Sequence, residues 1–396
     1  MKLSKGNVEI FTENIEPEAL NQIYNLIEQP AFVNSKIRIM PDVHAGAGCV
    51  IGFTADLGDK VIPNIVGVDI GCGMHVVKLG KINIDLEALD NFIKEKIPSG
   101  FCVNGKVQYP FDFSKSYCYN ELLNINRLEL SIGSLGGGNH FIEIDKDENG
   151  DLWLVIHTGS RNYGLQVAKI YQDKAVTHCR KLAEPEINEK IEMLKKQGRQ
   201  SEISEEIKKI RKKYEQYKVP KELAFLDGEL RDQYIHDMKL CQEFAVINRK
   251  IIAKNILNFL KVFKPIEEWE TIHNYVDDNN MIRKGAISAD VNEKVIIPLN
   301  MRDGSIIGIG KGNENWNKSG PHGAGRILAR GQAKQLLNVD DFKSAMEGIY
   351  TTTADESTID ESPMAYKPAD EIINAIGDSI DIVSIIKPIY NFKAAE

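Results

Sequence analysis

Asp69 and Cys72 stand three residues apart in the stretch Gly67-Val68-Asp69-Ile70-Gly71-Cys72-Gly73-Met74. Glycine tolerates positive φ and close backbone approach, so a loop of this kind can aim an acid and a thiol at one point. Alone, the pair reads equally well as a buried structural cysteine beside a turn aspartate. The histidines change that balance. Of eight, five (residues 44, 140, 157, 273 and 322) fall in Gly-, Asn- or turn-rich stretches, mostly where strands are predicted to end. Structural histidines have no reason to choose that location repeatedly. Thiolate, carboxylate and imidazoles together can hold one or two divalent metals. A bridging thiolate would serve both ions, the carboxylate and one imidazole completing one site and two imidazoles the other.

Three further stretches carry chemistry. Asp42 and His44 sit at i, i+2 in Pro41-Asp42-Val43-His44, where an extended backbone puts both on one face. Gly136-Gly137-Gly138-Asn139-His140 clears side chains from a loop, as suits a phosphate or nucleotide approaching the backbone. It fits neither a GxGxxG nor a Walker pattern. His157-Thr158-Gly159-Ser160-Arg161 ends a predicted strand with a histidine and a guanidinium able to grip phosphate bidentately. Arg161 alone would equally be a surface ion pair.

The elements that must position these residues follow from periodicity and breakers. Apolar spacing predicts a helix over 17–28, a strand over 37–40 stopped by Pro41, and an apolar strand over 62–68 running into the Asp69/Cys72 loop. Residues 184–222 turn rich in Lys, Glu, Gln and Ile, with apolar positions of two amphipathic helices broken near Gly198. They read as a charged helical hairpin inserted in the main domain, a steric or docking element. A long helix follows over 230–260, then His273 at a strand end. His322 lies among glycines ahead of a predicted helix over 326–337, whose N-terminus with Arg326 would form an anion site. The final strand is predicted over 382–386.

Composition excludes several classes. A hydrophobic content of 42% with 27% charged residues is ordinary for a soluble globular chain. The N-terminus has no apolar signal-like core and no run is long enough to span a bilayer, so a cytoplasmic protein is expected. Six cysteines without a C-x-x-C pair fit a reducing compartment and argue against a zinc finger. A net charge of −8 means that any polyanion must be held by a local cationic patch.

Taken together, the ordered blocks Pro41–His44, Gly67–Met74, Gly138–Phe141, His157–Arg161, His273–Tyr275 and His322–Arg326 resemble the RtcB family of RNA ligases. The family's Ala-x-x-Asn-Arg motif recurs at Ala245–Arg249. The resemblance covers nearly the whole chain, residues 1–396, and implies one large α+β domain with mixed sheets around a central metal pocket and the helical hairpin inserted. It implies a ligase that uses GTP and two manganese ions, Mn2+, to join RNA 3′-phosphate or 2′,3′-cyclic phosphate ends to 5′-hydroxyl ends in splicing or repair. By the same resemblance Cys72, His157 and His273 hold one ion, and Asp69, Cys72 and His140 the other. His322 is the guanylylated histidine and Asp42 the acid that fixes its tautomer. Asn139 and Arg326 contact phosphates, Glu143, Lys393 and Tyr366 line the nucleotide pocket, and Arg161 holds RNA. An archease-like activator is among the implied partners.

The chain departs from the family pattern at Pro298–Gly304, which replaces a Gly-Ser-Met-Gly stretch of the guanosine pocket, and in running past Lys393. These departures point to a divergent subgroup with a repair substrate, and to Arg302 as a reader of the base. Thiolate and imidazole ligands also favour zinc over manganese in intrinsic affinity, so zinc is expected to occupy the site and inhibit. Two rival classes remain at this stage. One is a metal-dependent cyclic phosphodiesterase or phosphatase acting on RNA ends; retention of Asp42 and His322 argues against it. The other is a non-catalytic RNA-binding module, which needs no thiolate–imidazole cluster.

Overall fold

The computed structural model describes residues 1–3, 7–214 and 219–394. Its centre is a seven-stranded antiparallel sheet. The strand order is Lys294–Asn300, Gly304–Gly310, Ile380–Lys393, Phe141–Lys146, Leu152–Thr158, Gly73–Gly80 and Glu267–Ile272. The sheet curls until its outer strands approach, with Lys294 ion-paired to Glu267 and lying over the Trp269 ring. Two-residue alternation sends Met74, Val76, Phe141, Trp153, Val155, Ile296, Ile307 and Ile386 into the concave interior. The alternate positions Val77, Leu79, Ile142, Ile144, Leu154 and Ile156 pack outward against the helices Leu86–Lys96 and Gly228–Phe259. Phe141, Glu143 and His157 therefore share the concave face, as do Asn391 and Lys393 on the neighbouring strand.

A second, five-stranded sheet runs in the order Asn7–Ile10, Lys36–His44, Ile51–Asp56, Met281–Lys284 and Asn274–Val276. Only its first pair is parallel. It carries Asp42, and His273 lies at the joint between Glu267–Ile272 of the large sheet and Asn274–Val276 of the small one. The 32-residue helix Gly228–Phe259 packs beside Arg161–Lys181 and under the strand Leu152–Thr158, and buries Asn248 and Arg249. Helices Glu184–Lys196 and Ile203–Tyr214 pack on each other, tied by ion pairs such as Lys190–Glu206 at 3.2 Å. The part of the 184–222 stretch at 215–218 lies outside the described residues. No helix among the described residues is long and apolar enough to cross a membrane.

Four local expectations fail for identifiable reasons. The strand does not stop at Pro41 but continues to His44. Pairing with Ile51–Asp56 is interrupted between Ile39 and His44, so the missing proline N–H costs no ladder bond. The apolar run at 62–68 is not a strand: Pro63 opens a single helical turn, Pro63–Val66. The helix expected from Arg326 begins only at Arg330 and ends at Leu336, because Arg326 is held extended in a bridge to Tyr366. There is accordingly no helix N-terminus at Arg326. The last strand is far longer than expected, Ile380–Lys393.

Candidate active site

The Asp69/Cys72 loop is a turn closed by the Cys72 N–H donating to Asp69 O at 3.2 Å. Backbone bonds fasten it to the His273 joint: Gly71 N–H donates to Asn274 O at 2.8 Å, and His273 N–H to Cys72 O at 3.0 Å. Gly71 is required here, with φ of 69° and a Cβ that would lie 2.9 Å from Gln242 Cα. The Cys72 Sγ sits 3.2 Å from His157 Nε2 and 3.6 Å from His140 Nε2, while His140 Nε2 lies 3.0 Å from Asp69 Oδ2. Two donor triads result, Cys72/His157/His273 and Asp69/Cys72/His140, with the donor atoms of each within 4.8 Å of one another. Cys72 belongs to both.

The surroundings suit a bound cation. His140 and His157 each direct Nδ1 to a backbone carbonyl, Leu135 O at 2.8 Å and Asn139 O at 3.1 Å, which turns Nε2 and its lone pair inward. His273 Nδ1 is buried with no partner among the described residues, a group that a metal would satisfy. Burial holds the His157 and His273 imidazoles well below the usual histidine range, so both stay neutral as ligands must be. Burial, and then the Asp69 charge, push the Cys72 thiol well up, and a nearby dication would reverse that. Burial also works to raise the Asp69 carboxyl, but the hydrogen bond and charge of His140 outweigh it and leave it low.

Four imidazoles form a row. Ring centroids are 5.4 Å apart for His140–His157, 5.2 Å for His157–His273 and 4.8 Å for His273–His322. At the far end the fully buried Asp42 accepts both the His322 backbone N–H at 3.1 Å and its ring Nδ1–H at 2.7 Å, leaving Nε2 as the nucleophilic nitrogen. Gly325 makes this approach possible, since a Cβ there would lie 2.4 Å from Asp42 O. His44 bonds Asp42 O through Nδ1 at 2.9 Å, and burial brings its pKa down to about 4.

His322, Cys72, His157, His273 and Asp69 line one cavity of about 260 Å³, together with Asn139, Glu143, Arg326, Tyr366 and Lys393. His140 touches it through Cys72 and Asp69, and Asp42 through His322. Arg161 does not line it. Its Nε donates to Ser134 Oγ at 3.1 Å and its Nη2 to Gly100 O at 2.8 Å, beside an adjoining cavity.

The geometry brings the ordered blocks into one centre, and comparison with known sequences agrees. The family model for tRNA-splicing ligase RtcB matches residues 22–121 and 115–394. The chain belongs to the RtcB family. It is 30% identical to the RNA-splicing ligase RtcB of Escherichia coli strain K12, over 96% of this chain and 95% of that relative. It is 26% identical to the tRNA-splicing ligase RtcB of Archaeoglobus fulgidus, over 91% of this chain and 88% of that relative. The corresponding Methanococcus maripaludis protein is 25% identical over 94% and 91%.

Within this RtcB-family centre, three features escape the sequence reading. Arg249, fully buried, donates from Nη1 to Gly71 O at 2.9 Å and Thr158 O at 2.8 Å, and its Nε and Nη2 grip Glu270 Oε2 at 3.1 and 2.7 Å. One guanidinium thus ties the Cys72 loop to the His157 strand end. Asn248 does the same for the glycine run: its Oδ1 accepts the Gly133 and Ser134 N–H groups, and its Nδ2 donates to Ser134 O and Gly159 O. Their motif is visible in the sequence, their contacts are not. Glu361 gives no sequence signal at all. It lies buried among Lys393 at 2.9 Å, Arg330 at 2.9 Å, Arg326 at 3.1 Å and Tyr366 Oη at 2.6 Å.

The divergent Pro298–Gly304 stretch forms the turn between Lys294–Asn300 and Gly304–Gly310. Pro298, Leu299, Asn300 and Met301 line the cavity, whereas Arg302 pairs with Asp303 at 2.9 Å outside it. The expectation that Arg302 reads a base is therefore corrected: the wall at this point is largely apolar.

Proposed function

We propose that this chain is an RNA ligase that uses GTP and two manganese ions to join RNA 3′-phosphate or 2′,3′-cyclic phosphate ends to 5′-hydroxyl ends, in splicing or repair. Cys72, His157 and His273 would hold one ion, and Asp69, Cys72 and His140 the other. When bound, the ions would offset charge that develops on phosphoryl oxygens. Zinc would bind the same donors more tightly and inhibit.

The observation that carries the reading is the Asp42–His322 pair at 2.7 Å beside the thiolate–imidazole cluster. Asp42 holds the proton on Nδ1, so Nε2 presents its lone pair. Nε2 attacks the α-phosphorus of GTP, the bond to pyrophosphate breaks, and a His322–GMP phosphoramidate forms. A 2′,3′-cyclic end is first opened by water to a 3′-phosphate. An oxygen of that 3′-phosphate displaces His322 from the GMP phosphorus. The 5′-hydroxyl oxygen then attacks the 3′-phosphorus and GMP leaves. Splitting one hard displacement into three easier ones is the purpose of the covalent step. Asn139, Arg326, Lys393, Tyr366 and Glu143 would grip the nucleotide, and Arg161 the RNA. The six free cysteines fit work in the cytoplasm, with an archease-like activator as a partner.

Incubation with GTP and manganese should raise the intact mass by one GMP, with the label on His322. His322→Ala should abolish the adduct, and Asp42→Asn should slow its formation at least about a hundredfold, the usual reach of a misplaced general base. A parent protein that gains no mass, yet opens a cyclic phosphate equally well as the His322→Ala variant, would establish the phosphodiesterase alternative instead.

A further inference from the structure

A second cavity, of about 710 Å³, lies against the His140 end of the imidazole row. It shares Asp69 and Asn139 with the His322 cavity, but His140 lines only this one and His322 only the other. Its wall includes Arg127, Arg161, Val68 and Phe101. Phe101 is 84% exposed, which is unusual for a phenylalanine whose backbone is so firmly fixed. Gly100 N–H donates to Gly136 O at 2.8 Å, Leu135 N–H to Pro98 O at 2.8 Å, and Cys102 N–H to Ser99 O at 3.0 Å. The two cavity arginines clamp the same loop: Arg161 Nη2 bonds Gly100 O, and Arg127 Nη2 bonds Phe101 O. Arg161 itself has a φ of 56°, a conformation that a non-glycine residue keeps only when its surroundings impose it.

A rigid, solvent-facing aromatic ring flanked by guanidiniums and a glycine run has the chemistry of a platform for an unpaired nucleobase. We propose that this cavity seats the RNA strand that ends in a 5′-hydroxyl, with its terminal base stacked on Phe101. The assignment rests on the ligase reading above, and the choice of strand follows from the direction of displacement. In the sealing step the 5′-oxygen loses its proton to water and bonds to the 3′-phosphorus, while the bond from that phosphorus to the GMP oxygen breaks on the opposite side. GMP originates on His322, at one end of the row. The attacking strand must then approach from the other end, where His140 and the Phe101 cavity lie. Arg127 and Arg161 supply the local positive charge that a chain of net charge −8 otherwise lacks.

The test uses single-stranded RNA with a 5′-hydroxyl and 2-aminopurine as its first base, titrated with the full-length protein. The parent should quench the fluorophore on binding. Phe101→Ala should lose the quenching and weaken binding about tenfold or more, the ordinary worth of one base stacked on an aromatic ring. Phe101→Trp should restore both. An unchanged melting temperature in both variants shows that the fold is intact. Equal quenching and affinity in the parent and Phe101→Ala would overturn the stacking. A loss of affinity confined to a 3′-phosphate strand labelled on its last base would overturn the choice of strand. Failure of the ligase reading is seen separately, as absence of a His322 adduct with GTP alone, a step that needs no RNA.

Discussion

Replacing Arg249 by methionine should loosen the centre without touching a single donor atom. The substitution keeps an unbranched chain of similar reach but removes the donors to Gly71 O and Thr158 O and the fork on Glu270. Two buried carbonyls then lose their partners, at about 1–3 kcal/mol each when no water replaces the donor. Burial works to raise the Glu270 pKa, and the Arg249 charge more than offsets it, so the carboxylate also loses its main support. With Glu270 16% exposed and still bonded by His75 at 3.2 Å, water softens that last loss. Breaking one side of a buried pair ordinarily costs about 3–5 kcal/mol, and that is the loss expected in urea unfolding of the metal-free protein. The Cys72 loop and the His157 strand end would then move independently, and manganese affinity, read by calorimetry, should fall about 10–100-fold. Arg249→Lys should recover only part, because one ammonium cannot reach three acceptors in the guanidinium's planar fork. Adding Glu270→Gln to Arg249→Met should cost less than the two single changes summed, by about 1 kcal/mol or more, since it removes the carboxylate that the first change stranded. If Arg249→Met unfolds within about 1 kcal/mol of the parent and binds manganese within about twofold, the guanidinium does not tie the two segments together.

The nucleotide end of the cavity supplies three further tests. Burial would raise the Glu361 pKa, but Lys393, Arg330 and Arg326 bring it from 4.5 down to about 2. Its ionised form thus stabilises the fold above pH 4.5, and this contribution, on the order of 3 kcal/mol, drains away as pH falls from about 4.5 to 2. Glu361→Gln should flatten that limb of an acid-unfolding curve, and an unaltered limb would refute it. Glu143 shifts the opposite way, its pKa raised by burial to about 7 despite Lys393 and Asn391. The folded state therefore holds that proton more tightly than the unfolded chain, and stability falls as pH rises from 4.5 through about 7. If the Glu143 carboxylate accepts from guanine, the KM for GTP should drop between pH 6 and 8, a trend Glu143→Gln should erase. Arg302→Ala should leave the preference for GTP over ATP unchanged, because its guanidinium pairs with Asp303 outside the cavity.

Residues whose chemistry is local were legible, and those defined by distant partners were not. Histidines 140, 157, 273 and 322 announce themselves through glycine, asparagine and strand-end context, and all four fall into one row. The long helix was equally plain, since its apolar spacing persists over 32 residues. Pro41 and Pro63 misled because proline marks a missing N–H without saying whether that N–H was needed. At Pro41 the ladder is already interrupted, and at Pro63 a helix is starting.

Arg326 makes the same point for charge. Glycines on its N-terminal side and apolar spacing beyond it spell a helix start, but Glu361, 35 residues onward, captures the guanidinium and Tyr366 pairs with its backbone. That capture matters for function more than the missing helix does. Glu361 gathers Arg326, Arg330, Lys393 and Tyr366 around one buried carboxylate. Three cations against one acid leave the end of the cavity away from the metal triads with surplus positive charge, in side chains too constrained to scatter when a nucleotide departs. A helix N-terminus would have offered partial charge from backbone N–H groups and falls off within a turn. A pre-organised cationic cluster offers whole charges already desolvated, so less reorganisation accompanies phosphate binding. The polyanion that an acidic chain must attract is thus met by a local device, assembled from residues up to 67 positions apart.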